Sequence, residues 1–222
     1  MIFGNALFTV NSTIPTIGDV NVAGDNDANL VLDRPSDAAE GDLLIVTALS
    51  NESTPSGPAG WTRTFTLSGS GGYDRVAIFE KVATGSETST YTFTSGFGDV
   101  VGLICVIKNA SGLDAVSAFS DLDTLASSKS IAAFTPNANG MVLSLVLSST
   151  DTSNLPISPS SIDSGFILKS ALGITDPAST PKTFTFFLFQ SPAVDGLDVG
   201  TQSYTLTKSG DVYGLSFSVS KE

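Results

Sequence analysis

The spacing of apolar residues is what most constrains this chain. Across 222 residues, no stretch of useful length repeats its apolar positions every 3.6 residues. Alternation at every second residue and short apolar runs dominate instead, broken by clusters of Gly, Pro, Asn and Ser. That pattern predicts strands near 5–10, 17–23, 29–33, 42–50, 61–67, 75–82, 90–94, 100–108, 114–119, 129–134, 140–149, 162–169, 183–190, 202–207 and 211–220. Turn signals such as Ser68-Gly-Ser-Gly-Gly72, Asn137-Ala-Asn-Gly140 and Asp195-Gly196 separate them. Many short strands at such intervals predict an all-β sandwich or barrel. The stretch 150–161, rich in Ser, Pro and Asn, is expected to be a surface loop.

The chain echoes itself. Tyr91-Thr-Phe-Thr-Ser-Gly-Phe-Gly-Asp-Val-Val-Gly-Leu103 matches Tyr204-Thr-Leu-Thr-Lys-Ser-Gly-Asp-Val-Tyr-Gly-Leu215, with one residue fewer in the second turn. Upstream, Asp42–Ser50 parallels Gly140–Ser148. Such self-similarity predicts two Greek-key halves, at about 29–110 and 128–222. The expected architecture is an antiparallel, jelly-roll-like β-sandwich forming a single domain over 26–222. Residues 1–25 precede it as a strand or arm.

Alternation also distinguishes the faces. Leu215, Phe217 and Val219 alternate with Ser216, Ser218 and Ser220, which predicts one face in the core and one in water. In 103–107 and 43–49 both faces are apolar, so something must cover the second one. The candidates are residues 1–25, the connection 109–139, or a neighbouring subunit. In Thr183-Phe-Thr-Phe-Phe-Leu-Phe-Gln190, either both faces are buried or a bulge resets the phase after Phe186.

Composition narrows the function. There is no histidine, so a Ser-His-Asp triad, a Cys-His dyad and imidazole metal ligands are excluded. Lys+Arg is 10 and Asp+Glu is 22, a formal charge of −12, which argues against nucleic-acid binding. Charged residues are only 14% of the chain, while Ser and Thr make up about a quarter. The N-terminus lacks the basic and long apolar regions of a signal peptide, and the apolar runs are far too short to be membrane helices. The sole cysteine, Cys105, lies in an apolar run and reads as a small buried hydrophobe.

Four motifs fall in order. They are Pro35-Ser-Asp-Ala-Ala-Glu-Gly-Asp-Leu-Leu-Ile-Val46, Pro58-Ala-Gly-Trp-Thr62, Ile78-Phe-Glu-Lys-Val-Ala-Thr-Gly-Ser-Glu87 and Tyr91-Thr-Phe-Thr94. Together they resemble a β-sandwich module that recurs in phage virion proteins and some bacterial surface proteins. The resemblance covers about 29–110, and more loosely Gly140–Leu143 and Tyr204–Thr207. The chain departs from the module's pattern at Thr88, where Pro is usual, and at Phe79, where Tyr is usual. The resemblance implies a jelly-roll-like sandwich in a virion or adhesion structure, with no shared catalytic residue and no cofactor.

The residues themselves support simple local roles. Gly41-Asp42 reads as a tight turn, with Gly at positive φ and Asp bonding nearby backbone. Pro58-Ala-Gly60 delivers Trp61 as a core plug, with stacking on a sugar ring as the alternative. Asp25, Asp27, Asn29 and Asp33 place oxygens at positions 1, 3, 5 and 9 of a loop. Leu30 and Ser36 stand where a calcium-binding EF-hand needs Gly and Glu, so an Asx-rich turn is favoured over a calcium site. The acids Asp42, Glu52, Asp74, Glu80 and Glu87 show no spacing that pairs two of them in a glycosidase cleft. Ser68–Gly72 lacks the Lys-Ser/Thr of a phosphate loop.

The resulting expectation is a non-enzymatic capsid decoration, or cement, protein on the phage head surface. It is made in the host cytoplasm and docks on the major capsid protein, with a homotrimer as the expected assembly. A chain of one sandwich from Met1 to Glu222 suits that role better than a long fibre. Ile2, Phe3, Leu7, Phe8 and Val10 are expected to lie along the shell as an anchoring arm. The alternative is a tail-fibre or baseplate adhesin that recognises cell-surface glycan through Trp61, Tyr73 or Tyr213.

Overall fold

The computed structural model describes residues 14–68, 75–116, 126–131, 133, 135–136, 140–151, 159–162, 167–175, 182–193 and 202–222. Every element among them is a β-strand, and no helix is long and apolar enough to cross a membrane. In chain order the strands are β1 (Thr16–Asp25), β2 (Asn29–Asp33), β3 (Leu43–Ser50), β4 (Thr62–Ser68), β5 (Arg75–Val82), β6 (Thr90–Thr94) and β7 (Val100–Lys108). There follow β8 (Ala110–Val116), β9 (Ala126–Ile131), β10 (Gly140–Asp151), β11 (Pro159–Ile162), β12 (Ile167–Thr175), β13 (Lys182–Ala193) and β14 (Gln202–Lys221).

All pairings are antiparallel, and they build two large sheets. The first has the order β1-β7-β3-β5-β4. In the second, β14-β10-β13-β12 run side by side and β8 lies along the other edge of β14. Counted from β8, the second sheet therefore takes its strands in an order analogous to the first. The N-terminal part of β14 pairs with β9 and β11, much as β6 pairs with β2.

The two sheets face each other. Leu43, Ile45, Ile78, Leu103, Cys105 and Ile107 of the first interleave with Leu143, Leu145, Phe184, Phe186, Leu215 and Phe217 of the second. Both halves of the chain thus supply one core. A second core lies on the outer face of the first sheet. There Leu44, Val46, Ala77, Phe79, Ile104 and Val106 pack beneath Leu30 and Leu32 of β2 and Tyr91 and Phe93 of β6. The cover is this two-stranded sheet, with Ala23 of β1 packed at its side. Among the described residues, 1–25 supplies Ala23 to this second core and 109–139 supplies none. The burial pattern of β2 and β6 shows why: each alternates exposed and buried residues, presenting one apolar side to the sheet.

Four readings of the sequence are corrected or completed. Ser216 and Ser218 are not on a wet face. Both are fully buried, as is Ser144, whose hydroxyl bonds that of Ser216. Val142, Val146 and Phe187 are also buried, so burial in the second sheet is not confined to the side facing the central core. In β13, Phe184, Phe186 and Leu188 enter the central core while Phe187 is buried as well. Both faces are therefore covered, and pairing with β10 runs from Thr183 to Gln190 without a bulge. The strand expected at 162–169 is divided between β11 and β12, and 159–162 is strand rather than loop. The two strands expected at 202–207 and 211–220 are one continuous β14, held across Gly210 by its pairing with Ala126.

Candidate functional site

The motif residues, distant in sequence, meet at one corner. Gly41 takes φ 92°, and its N–H donates to Ala83 O at 2.9 Å. The Ala83 N–H returns the bond to Asp42 O at 2.8 Å. The Asp42 carboxylate accepts from Ala39 N at 2.7 Å and from Lys108 Nζ at 2.5 Å. Lys108 also donates to the Asp37 carbonyl. The expected turn is therefore present, and Lys108 ties it to the end of β7.

Pro58-Ala-Gly60 closes a turn in which Trp61 N–H reaches Pro58 O at 3.3 Å and Gly60 takes φ 87°. The half-buried Trp61 ring packs edge-on against Tyr91 at 5.1 Å and Phe93 at 5.2 Å. Such edge-to-face contacts add to the burial of the rings themselves.

Glu87 is the hub of the corner. Its side chain is only 3% exposed. One carboxylate oxygen accepts from Thr84 N at 2.8 Å and Thr84 Oγ1 at 2.9 Å. The other accepts from Lys81 Nζ at 2.6 Å and from the Tyr91 hydroxyl at 2.8 Å. Lys81 also sits 5.5 Å from the Tyr91 ring centroid. Burial alone would raise the Glu87 pKa. The Lys81 ammonium and the Thr84 and Tyr91 donors outweigh it and hold the group down at about 2. Burial and the adjacent carboxylate push the Tyr91 phenol up. Both oxygens of this carboxylate are thus engaged, by four donors in all. Its chemistry is that of a clamp joining β5, β6 and the turn between them.

Beside this corner lies a groove of about 420 Å³, lined by Leu43, Thr62, Glu80, Val82, Thr84 and Ser111, among others. Glu80 accepts from Leu113 N at 2.7 Å, linking β5 to β8.

The acids considered as a glycosidase pair are held separately: Asp42 by Lys108, Glu87 by Lys81 and Glu80 by backbone. Asp74 lies outside the described residues. In the 25–33 segment, Asp25 accepts from Asp27 N at 2.7 Å and Asn29 Nδ2 donates to Asp27 O at 3.0 Å. This is an Asx turn, closed by Ala28 at φ 64°. Among the described residues, no group of three or more Cys, Asp or Glu side chains is arranged to hold a metal ion. Ile2, Phe3, Leu7, Phe8, Val10 and Tyr73 lie outside the described residues.

The sequence reading missed the opposite end of the sandwich. There the loop between β6 and β7 presents Phe97, 63% exposed, between Gly96 (φ 83°) and Gly98 (φ 82°). The available signal was a Phe flanked by two glycines, where the matching segment 207–211 has no aromatic residue. No protein-family model, curated protein or solved structure matches this chain.

Proposed function

We propose that this chain is a non-enzymatic structural protein of a bacteriophage virion. In this reading it is a jelly-roll-like decoration protein, made in the host cytoplasm, that docks as a homotrimer on the major capsid protein and stabilises the head. The observation that supports it is the meeting of the motif residues. Gly41-Asp42, Trp61, Lys81, Glu87 and Tyr91 carry the resemblance to virion sandwich modules, and they form one bonded corner rather than scattered matches. The low charge content also suits a protein packed among neighbours, because faces with few ions are less costly to desolvate. The test is to locate the chain in purified particles by labelling and imaging. Label distributed over heads supports the reading, and particles without the chain would sink it.

A second reading, a tail-fibre or baseplate adhesin for cell-surface glycan, is favoured by the groove lined by Gly60 and Thr62. Its Thr62, Thr84 and Ser111 hydroxyls and Glu80 carboxylate are groups that bond sugar hydroxyls, and Leu43 and Val82 supply an apolar wall. Label confined to tails, together with binding on a glycan array that Glu80→Ala abolishes, would select it.

A further inference from the structure

The fold does not require an aromatic residue in the turn between β6 and β7. The second half passes the corresponding point within the continuous strand β14, through Thr207-Lys-Ser-Gly-Asp211, one residue shorter than Thr94-Ser-Gly-Phe-Gly-Asp99. The extra length holds Phe97. Among the residues whose side chains are described, it is the only exposed phenylalanine, and no tyrosine or tryptophan there is exposed. Leaving such a ring largely in water forgoes most of the gain that its burial would bring.

The loop that carries it is firmly braced. Ser95 N–H donates to Ala28 O at 2.9 Å, and Ser95 Oγ donates to Phe97 O at 3.1 Å. On the other side, Asp99 N–H donates to Asn51 Oδ1 at 2.9 Å, and Asn51 Nδ2 returns a bond to Asp99 Oδ2 at 3.1 Å. The ring is thus held out on a preformed loop, so little ordering cost remains to be met on binding. The two flanking loops expose Asp27 and Glu52.

We propose that this end is the docking knob of the protein: Phe97 enters an apolar pocket, rimmed by Lys and Arg, on the head-shell protein. The inference rests on the virion reading above. A protruding ring calls for a concave partner, whereas sites for small ligands are themselves concave. An aromatic anchor inside a polar rim is the usual anatomy of a protein interface. The Asp27 and Glu52 carboxylates set the sign of the partner's rim. Knob-to-knob contact between two copies would instead set these carboxylates against one another.

The test is add-back of purified chain to heads assembled without it, read by co-sedimentation. Phe97→Ser is expected to bind about 30-fold more weakly, the loss of a typical anchor residue. Phe97→Leu should restore most of the attachment. Both should melt with wild type, because the ring touches no core. The double variant D27K/E52K should bind more weakly at low salt and lose the salt dependence shown by wild type. If Phe97→Ser binds within twofold of wild type while wild type binds well, the knob is wrong and the virion reading stands. If D27K/E52K is unchanged, the basic rim is wrong. If wild type does not bind heads, the virion reading fails and the knob falls with it.

Discussion

Leu30 of β2 occupies the space that Gly102 of β7 leaves by having no side chain. Gly102 is flanked in the sheet by Ala48 of β3 and Ala23 of β1, so three small residues form a shallow slot across the sheet. A Cβ at 102 would collide with Leu30 and stand 2.9 Å from the Thr47 carbonyl oxygen. The covering sheet can approach closely only because these three positions are small. Gly102→Ala should therefore destabilise the protein by about 1–3 kcal/mol. At this chain length that is a fall of roughly 2–4 °C in Tm per kcal/mol. Leu30→Ala should cost about 2–5 kcal/mol by itself, and the double variant less than the sum. Additive losses in denaturant titrations would show that the two residues do not share the space.

The Glu87 clamp predicts a specific acid limb. Its folded pKa is about 2, below the ordinary 4.5, so the folded state favours the ionised form. The contribution is complete above about pH 4.5 and is lost as pH falls toward 2. Glu87→Gln should destabilise by about 2–4 kcal/mol at pH 7, because Lys81 keeps its charge without its partner. Its stability should also vary less than that of wild type between pH 4.5 and 2. Parallel slopes for the two proteins in that window would remove Glu87 as the source.

Burial of the serine face is tested by charge insertion. Ser216 is fully buried, whereas Ser220, on the same side of β14, is partly open to solvent. Ser216→Lys should cost several kcal/mol or prevent folding. Ser220→Lys should stay within about 1 kcal/mol of wild type. Equal tolerance of both, measured by thermal melts, would contradict the buried face.

Cys105 offers an intrinsic probe of the central core. Burial pushes its thiol pKa up to about 12, which leaves almost no thiolate at neutral pH. A thiol reagent should leave the native protein unlabelled over minutes and modify one cysteine per chain on unfolding in denaturant. Rapid labelling under native conditions would mean that the sheets separate easily.

Much of the fold was legible locally. The limits of β2, β5, β6 and β7 coincide with the expected 29–33, 75–82, 90–94 and 100–108. Period-two alternation reports the pleat directly, and Gly41 and Gly60 mark turns that need positive φ. The roles of Glu87 and Lys81 were not legible, because the five residues between them do not indicate that a turn brings them together with Tyr91.

An all-β chain, its principal strands, a buried Cys105 and a chemistry without histidine are written in the residues themselves. What each strand face meets is set by how the sheets pack. Alternation separates the two sides of a strand but carries no information about what lies opposite. Apolar Leu44 and Val46 were therefore open to several covers until β2 and β6 were seen to lie over them. Hydroxyl-bearing Ser216 and Ser218 read as wet, although a hydroxyl with a bonding partner can be buried at little cost. Alternation along the strands says nothing of Phe97, which lies between them. Its exposure follows from the way Gly96, Gly98 and the hydrogen bonds to neighbouring loops hold it outside both cores.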